Sequence, residues 1–117
     1  MASFKDLIVW QKAHQFALLV YKATESFPQS EQFGLTSQIR RAVVSISSNI
    51  VEGYERGSNK EMTRFLLIAR SSNAEVQAQL LLAKDLGYVD AKTFTSLAEK
   101  SVEVNKLING FKKGVAR

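Results

Sequence analysis

The chain has 117 residues, 45% of them hydrophobic, with a formal net charge of +5 and a pI near 9.6. This length suits one domain with a real core and leaves no room for a second. The lack of cysteine excludes a disulfide framework, a thiolate zinc site and a cysteine nucleophile, and a single histidine, His14, cannot build a histidine metal cluster.

The mildly basic balance permits binding to nucleic acid or another polyanion but does not require it. No segment is long and apolar enough to span a membrane, and the stretch from Met1 to Asp6 does not open a signal peptide. A cytoplasmic location with no membrane partner is expected.

Apolar residues recur at helical spacing, and no long run alternates as a strand would. The first helix is predicted from about Asp6, as N-cap, to about Ser26. Its apolar side carries Val9, Trp10, Ala13, Phe16, Ala17, Val20, Tyr21 and Thr24, and Pro28 stops it. The second should run from Gly34 or Thr36 to about Glu55. Leu35, Ile39, Ala42, Val43, Ile46, Ile50 and Gly53 form its stripe, and Arg41, Ser45, Ser48 and Glu52 form a polar ridge at offsets of 4, 3 and 4.

Gly57 breaks the chain, and Ser58-Asn59-Lys60-Glu61 has the spacing of a capping box. The third helix should then reach about Leu86, using Phe65, Ile68, Ala69, Val76, Leu80 and Ala83, with Gly87 as its C-terminal cap. Asp90 caps a fourth helix running to about Lys113, with Phe94, Leu97, Val104, Leu107, Ile108 and Phe111 inward. Lys112, Lys113 and Arg117 suit the negative end of its dipole. Short connections make sequential helices antiparallel neighbours. The expected fold is all-α, an antiparallel up-down-up-down four-helix bundle occupying residues 1–117 as one domain.

Several stretches resemble a known family. They are Phe4 to Ala13, Phe33 to Ala42, Val43 to Gly53, Glu61, Phe65 to Ser72, Glu75 and Leu86-Gly87-Tyr88. Together they are similar to the bacterial four-helix-bundle proteins first noted as products of intervening sequences in large-subunit ribosomal RNA genes. The family pattern usually has Ala where this chain has Val51, and Gly where it has Ser71. The resemblance implies a homo-oligomer, with a pentamer as the expected state. It also implies kinship with the accessory protein of diversity-generating retroelements, a basic pentamer that engages reverse transcriptase and nucleic acid.

Arg41 and Glu52 lie about 16 Å apart by helical rise, too far for a direct bond. Arg41, Ser45, Ser48 and Glu52, with Asn49 beside them, are therefore read as a structural polar network tied to other helices, with Glu75 as the partner for Arg41. A ligand site is the rival reading of the same residues. Trp10 is read as a core or interface anchor, against the alternative of a stacking platform for a base. His14 is read as packed or partly exposed.

Glu52, Glu61 and Glu75 lack the Glu-x-x-His spacing of a di-metal bundle. No G-x-S-x-G elbow and no phosphate-binding glycine loop occurs. No catalytic residue, metal or cofactor is expected.

Arg40, Arg56, Lys60, Arg64 and Arg70 are the most concentrated basic residues and the candidate contacts to RNA or DNA phosphates, although Glu52, Glu55 and Glu61 dilute them. Leu18, Leu19, Val44 and Val51 fall outside the core stripes and are the candidate oligomer interface. The chain is thus expected to be a non-enzymatic homo-oligomer that contacts nucleic acid without strong sequence specificity. The alternative is a structural or protein-adaptor bundle with no nucleic-acid role.

Overall fold

The computed structural model describes residues 3–116, so Arg117 and Met1 lie outside the described residues. Four helices follow one another: α1 (Ile8–Thr24), α2 (Leu35–Arg56), α3 (Asn59–Asp85) and α4 (Ala91–Ala116). Short 3-10 turns at Phe4–Asp6 and Gln29–Glu31 precede α1 and α2, and there is no strand among the described residues. Each helix packs on its neighbours in sequence, and α1 also packs on α4, which closes the square.

Contacts climb one helix as they descend the next. Gly53 of α2 approaches Met62 and Phe65 of α3, and Ser45 meets Ser72. Arg70 of α3 meets Asn109 of α4, and Lys84 lies over the ring of Phe94. The bundle is therefore antiparallel and up-down, with extents of 44 × 24 × 23 Å.

The core follows the helical periodicity. All seven residues of the expected α2 stripe are buried, and Phe16, Ile39, Ile46, Ile50, Leu66, Leu80 and Ile108 are the largest sealed side chains. Burial of this apolar surface stabilises the bundle. Two expected core residues, Tyr21 and Ile68, are exposed. The α3 core line runs Met62, Leu66, Ala69, Asn73, Val76, Leu80, Ala83 at offsets of 4 and 3, and Ile68 sits off it by about a third of a turn.

The helix starts depart from expectation at two points. Asp6 does not cap α1. Its Oδ2 accepts from the Ser3 backbone N–H at 2.9 Å while Ser3 Oγ accepts from Lys5 N–H at 3.2 Å. This box closes the Phe4–Asp6 turn, and extended Leu7 delays α1 to Ile8. At α3, Ser58 Oγ accepts from Glu61 N–H at 3.2 Å, but the Glu61 carboxylate turns toward arginines instead of reciprocating.

The C-terminal end of α3 closes as expected. Gly87 is left-handed at φ +79°, with Tyr88 N–H donating to Ala83 O and Gly87 N–H to Lys84 O. Asp90 Oδ1 accepts from Thr93 N–H at 2.7 Å, which starts α4 and lowers the carboxyl pKa.

Candidate functional site

Left-handed Gly57, at φ +76°, turns α2 into α3 within three residues. That turn brings Arg56, Lys60 and Arg64 to one tip of the bundle. The two helices meet closely there because Gly53 has no side chain. A Cβ on it would lie 2.9 Å from Phe65 Cβ and 3.3 Å from Met62 Cα. Phe65 is thereby fixed, and two guanidinium groups lie over its ring, Arg56 at 5.2 Å and Arg64 at 4.9 Å.

Glu61 bridges the two arginines, with its oxygens 3.5 Å from Arg56 Nη1 and 3.3 Å from Arg64 Nη1. Glu52 accepts from Arg56 Nη2 at 3.0 Å. Lys60 is exposed and forms no ion pair among the described residues. The tip therefore sets three cations, Arg56, Lys60 and Arg64, against three carboxylates, Glu52, Glu55 and Glu61, with the positive end of the α3 dipole behind them.

The other two candidate arginines stand elsewhere. Arg40 lies about 24 Å from Arg56 by rise along α2. Its Nε donates to Thr24 Oγ1 at 2.8 Å, its Nη2 to Tyr21 O at 3.2 Å, and its guanidinium sits 4.7 Å from the Tyr21 ring. It straps α2 to α1. Arg70 Nη1 donates to Asn109 Oδ1 at 3.2 Å and links α3 to α4. The five residues thus divide into a cluster of three and two cross-helix links.

The polar ridge divides as well. Ser45 Oγ and Ser72 Oγ share a hydrogen bond of 2.8 Å, and Asn49 Nδ2 donates to Ser45 O at 2.7 Å and to Ser45 Oγ at 2.9 Å. These three residues tie α2 to α3. Ser48 is exposed, and Glu52 faces Arg56.

Arg41 and Glu75 do not pair, contrary to expectation. Both are exposed, and both line a groove of about 580 Å³ between α2 and α3, together with Phe33, Ser37 and Gln38. Neither makes a side-chain hydrogen bond or ion pair among the described residues. Water serves each charge at this rim, so closing the pair within one chain gains little.

Of the candidate interface residues, Leu18 is 59% exposed and Val44 40%, while Val51 is half-buried. Leu18 and Leu19 line a second groove, between α1 and α4, with Lys12, Lys100 and Glu103. Trp10 is half-buried, edge-on to Phe4 at 5.0 Å and stacked on His14 at 4.8 Å.

Sequence reasoning missed two features. Asn73, buried on the α3 core line, donates to Ser101 O at 2.9 Å and accepts from Ser101 Oγ at 2.7 Å, while Gln77 Nε2 donates to that Oγ at 2.7 Å. The available signal was a polar residue on each core line, Asn73 on α3 and Ser101 on α4. The second feature is Glu31, which accepts from Leu35 N–H at 3.0 Å and from Tyr88 OH at 2.9 Å. These bonds hold its pKa below the usual carboxylate value and raise that of Tyr88. They also anchor the loop that carries Phe33, which is 90% exposed.

Among the described residues, no helix is long and apolar enough to cross a membrane. The family model described as "23S rRNA-intervening sequence protein" matches residues 5–110. A solved structure of a protein of unknown function from the S23 ribosomal protein family, from Bacteroides thetaiotaomicron, superimposes with a TM-score of 0.80 at 28% identity. The match covers 91% of this chain and 99% of that one. No curated protein matches the chain in sequence.

Proposed function

The chain belongs to the 23S rRNA-intervening sequence protein family, and on that premise we propose that it is a non-enzymatic cytoplasmic homo-oligomer, a pentamer, that binds RNA or DNA through phosphates. The observation that carries the nucleic-acid part is the α2–α3 tip. Arg56, Lys60 and Arg64 project from one tight turn, and Lys60 is unpaired among the described residues. A phosphate would compete with Glu61 for the two arginines and would gain the α3 N-terminus. Repetition around an oligomer would add these tips into one field, on a chain whose net charge is already +5. Exposed Leu18 and Leu19 at the α1–α4 groove and exposed Phe33 at the α2–α3 groove are apolar surfaces that self-association would cover.

The rival reading, a structural or protein-adaptor bundle, draws on the same tip. Arg56 and Arg64 are already held by Glu52, Glu61 and the Phe65 ring, which is how arginines that only brace a turn would look. Fluorescence polarisation with a labelled RNA and its DNA counterpart, at about 50 mM salt, separates the two. Binding should fall steeply as salt rises, and changing Arg56, Lys60 and Arg64 together to Glu should abolish it while the oligomer persists. Equal, micromolar-or-weaker affinity for both proteins would reject the nucleic-acid reading. A reverse transcriptase is the protein partner implied by the family resemblance, and co-purification with one encoded beside this chain tests that extension.

A further inference from the structure

The α2–α3 groove holds polar groups that the fold leaves unused. The hydrogen bond between Ser45 Oγ and Ser72 Oγ joins its two walls, and the helices run antiparallel through that point. Arg41 lies four residues before Ser45, about 6 Å by rise, and Glu75 three residues after Ser72, about 4.5 Å. Both steps go the same way along the groove, so the two charges stand at nearly one level on opposite walls. Gln38 and Gln79 follow about one turn further on, and Phe33 stands at the far end.

Three of these groups have no partner among the described residues. Gln79 Oε1 is buried and accepts no hydrogen bond, which costs stability unless something else donates to it. Arg41 and Glu75 form no ion pair. The serine pair has a hydroxyl to spare as well. It carries two hydroxyl protons and uses one in the bond between them, while Asn49 Nδ2 donates to Ser45 Oγ from outside the pair. A free O–H donor therefore sits about one turn from Arg41.

These groups select the chemistry of a ligand. A phosphate or polyanion would gain Arg41 and be repelled by Glu75, and a simple amine meets the converse problem. A small molecule with both charges a few ångströms apart satisfies the whole set. Its carboxylate fits between the serine hydroxyl and Arg41, whose guanidinium offers parallel N–H donors. Its ammonium, with three donors and no acceptor, fits between the Glu75 carboxylate and Gln79 Oε1. The order of groups along the groove then aims the rest of the molecule at the Phe33 ring. That ring has two faces and is 90% exposed, so a neighbouring chain on one face leaves the other to the ligand.

We propose that the α2–α3 groove binds a free α-amino acid with a large apolar side chain, its carboxylate on Arg41 and the serine pair, its ammonium on Glu75 and Gln79. The groove volume of about 580 Å³ falls within the range of small-molecule sites. The site is separate from the basic tip, since Arg41 lies about 22 Å from Arg56 by rise along α2. Its rim is open and both charges are exposed, so affinity is weak, with Kd of about 0.1–1 mM.

Thermal unfolding of the full chain at fixed protein concentration, titrated with ligand, tests this. L-phenylalanine or L-leucine at about 10 mM should raise the melting temperature by about 5–10 °C. Glycine, with no side chain to reach Phe33, should raise it less. Phenethylamine, which lacks the carboxylate, and N-acetyl-L-phenylalanine, which lacks the ammonium, should each bind about tenfold or more weakly than L-phenylalanine. Arg41→Gln should remove the advantage of phenylalanine over phenethylamine, and Glu75→Gln its advantage over the acetylated acid, because each variant deletes the protein partner of the group that the analogue lacks. Glu99→Gln, on α4, should change neither comparison. All three side chains are exposed, so circular dichroism should show the variants as helical as wild type. No shift with either amino acid at about 10 mM, equal shifts with the three phenyl ligands, or advantages that survive both variants would overturn the proposal.

Discussion

Replacing Gly53 with alanine and Gly110 with alanine is one chemical change made in two helices, and the structure assigns them opposite signs. Each substitution removes a helix-interior glycine, which by itself favours the folded state by about 1 kcal/mol. At Gly110 no heavy atom lies within 4 Å of the added Cβ, so that gain should appear whole. At Gly53 the Cβ would sit 2.9 Å from Phe65 Cβ, 3.1 Å from Met62 Sδ and 3.3 Å from Met62 Cα. Ordinary carbon contacts begin near ~3.5 Å, so α2 and α3 must separate by about half an ångström. The Met62 sulfur can swing away. The Phe65 Cβ and the Met62 backbone cannot, because they move only with α3. Overpacking of this kind costs about 1–3 kcal/mol, which cancels or outweighs the propensity gain and leaves a net loss of up to about 2 kcal/mol. Thermal unfolding at fixed protein concentration reads the difference. For a domain of this size 1 kcal/mol corresponds to about 4 °C, so Gly110→Ala should melt a few degrees above wild type and Gly53→Ala at or several degrees below it. If Gly53→Ala stabilised the protein as much as Gly110→Ala, the close α2–α3 approach would be wrong, and with it the fixed position of Phe65 under the two arginines.

Ile46→Ala and Leu80→Ala each empty a sealed core position and should cost about 2–5 kcal/mol in chemical denaturation; losses under about 1 kcal/mol would contradict their burial. Asn73→Ala strands Ser101 and Gln77 between α3 and α4 and should cost about 1–3 kcal/mol, with Ser101→Ala adding much less on top of it than alone. The folded-state pKa values of Glu31 and Asp90 are depressed, so the stability they contribute is full above the ordinary carboxylate range and is lost as pH falls through their lower folded values. Glu31→Gln should therefore flatten the acid limb of the stability profile, and an unchanged limb would mean that its bonds to Leu35 and Tyr88 do not form.

The sequence alone determined the number of helices, their approximate ends and most of the core, because local signals govern these features. The α2 stripe is a matter of 3.6-residue periodicity, and Gly57, Ser58, Gly87 and Asp90 act on backbone groups within a few residues of themselves. It did not determine which polar side chains meet. Arg41 and Glu75 were matched by sign and helix, yet only the packed α2–α3 pair decides that both stay at the rim of a groove. Arg40 counted among the basic residues until the packing of α1 against α2 placed Thr24 and Tyr21 within reach of its guanidinium. Asp6 reads as a cap for α1, but Ser3-Phe4-Lys5-Asp6 has the capping-box spacing too, and only the structure shows that this box closes a 3-10 turn ahead of the helix. The contact of Asn73 with Ser101 spans 28 positions and exists only once α3 and α4 are side by side. Phe33 reads as one more apolar residue in a loop, and its exposure follows from Glu31 and Tyr88 meeting across 57 positions. Local interactions fix helices one at a time, whereas a charge's partner and a ring's exposure depend on rotations and separations between helices, which are set by the packing of all four.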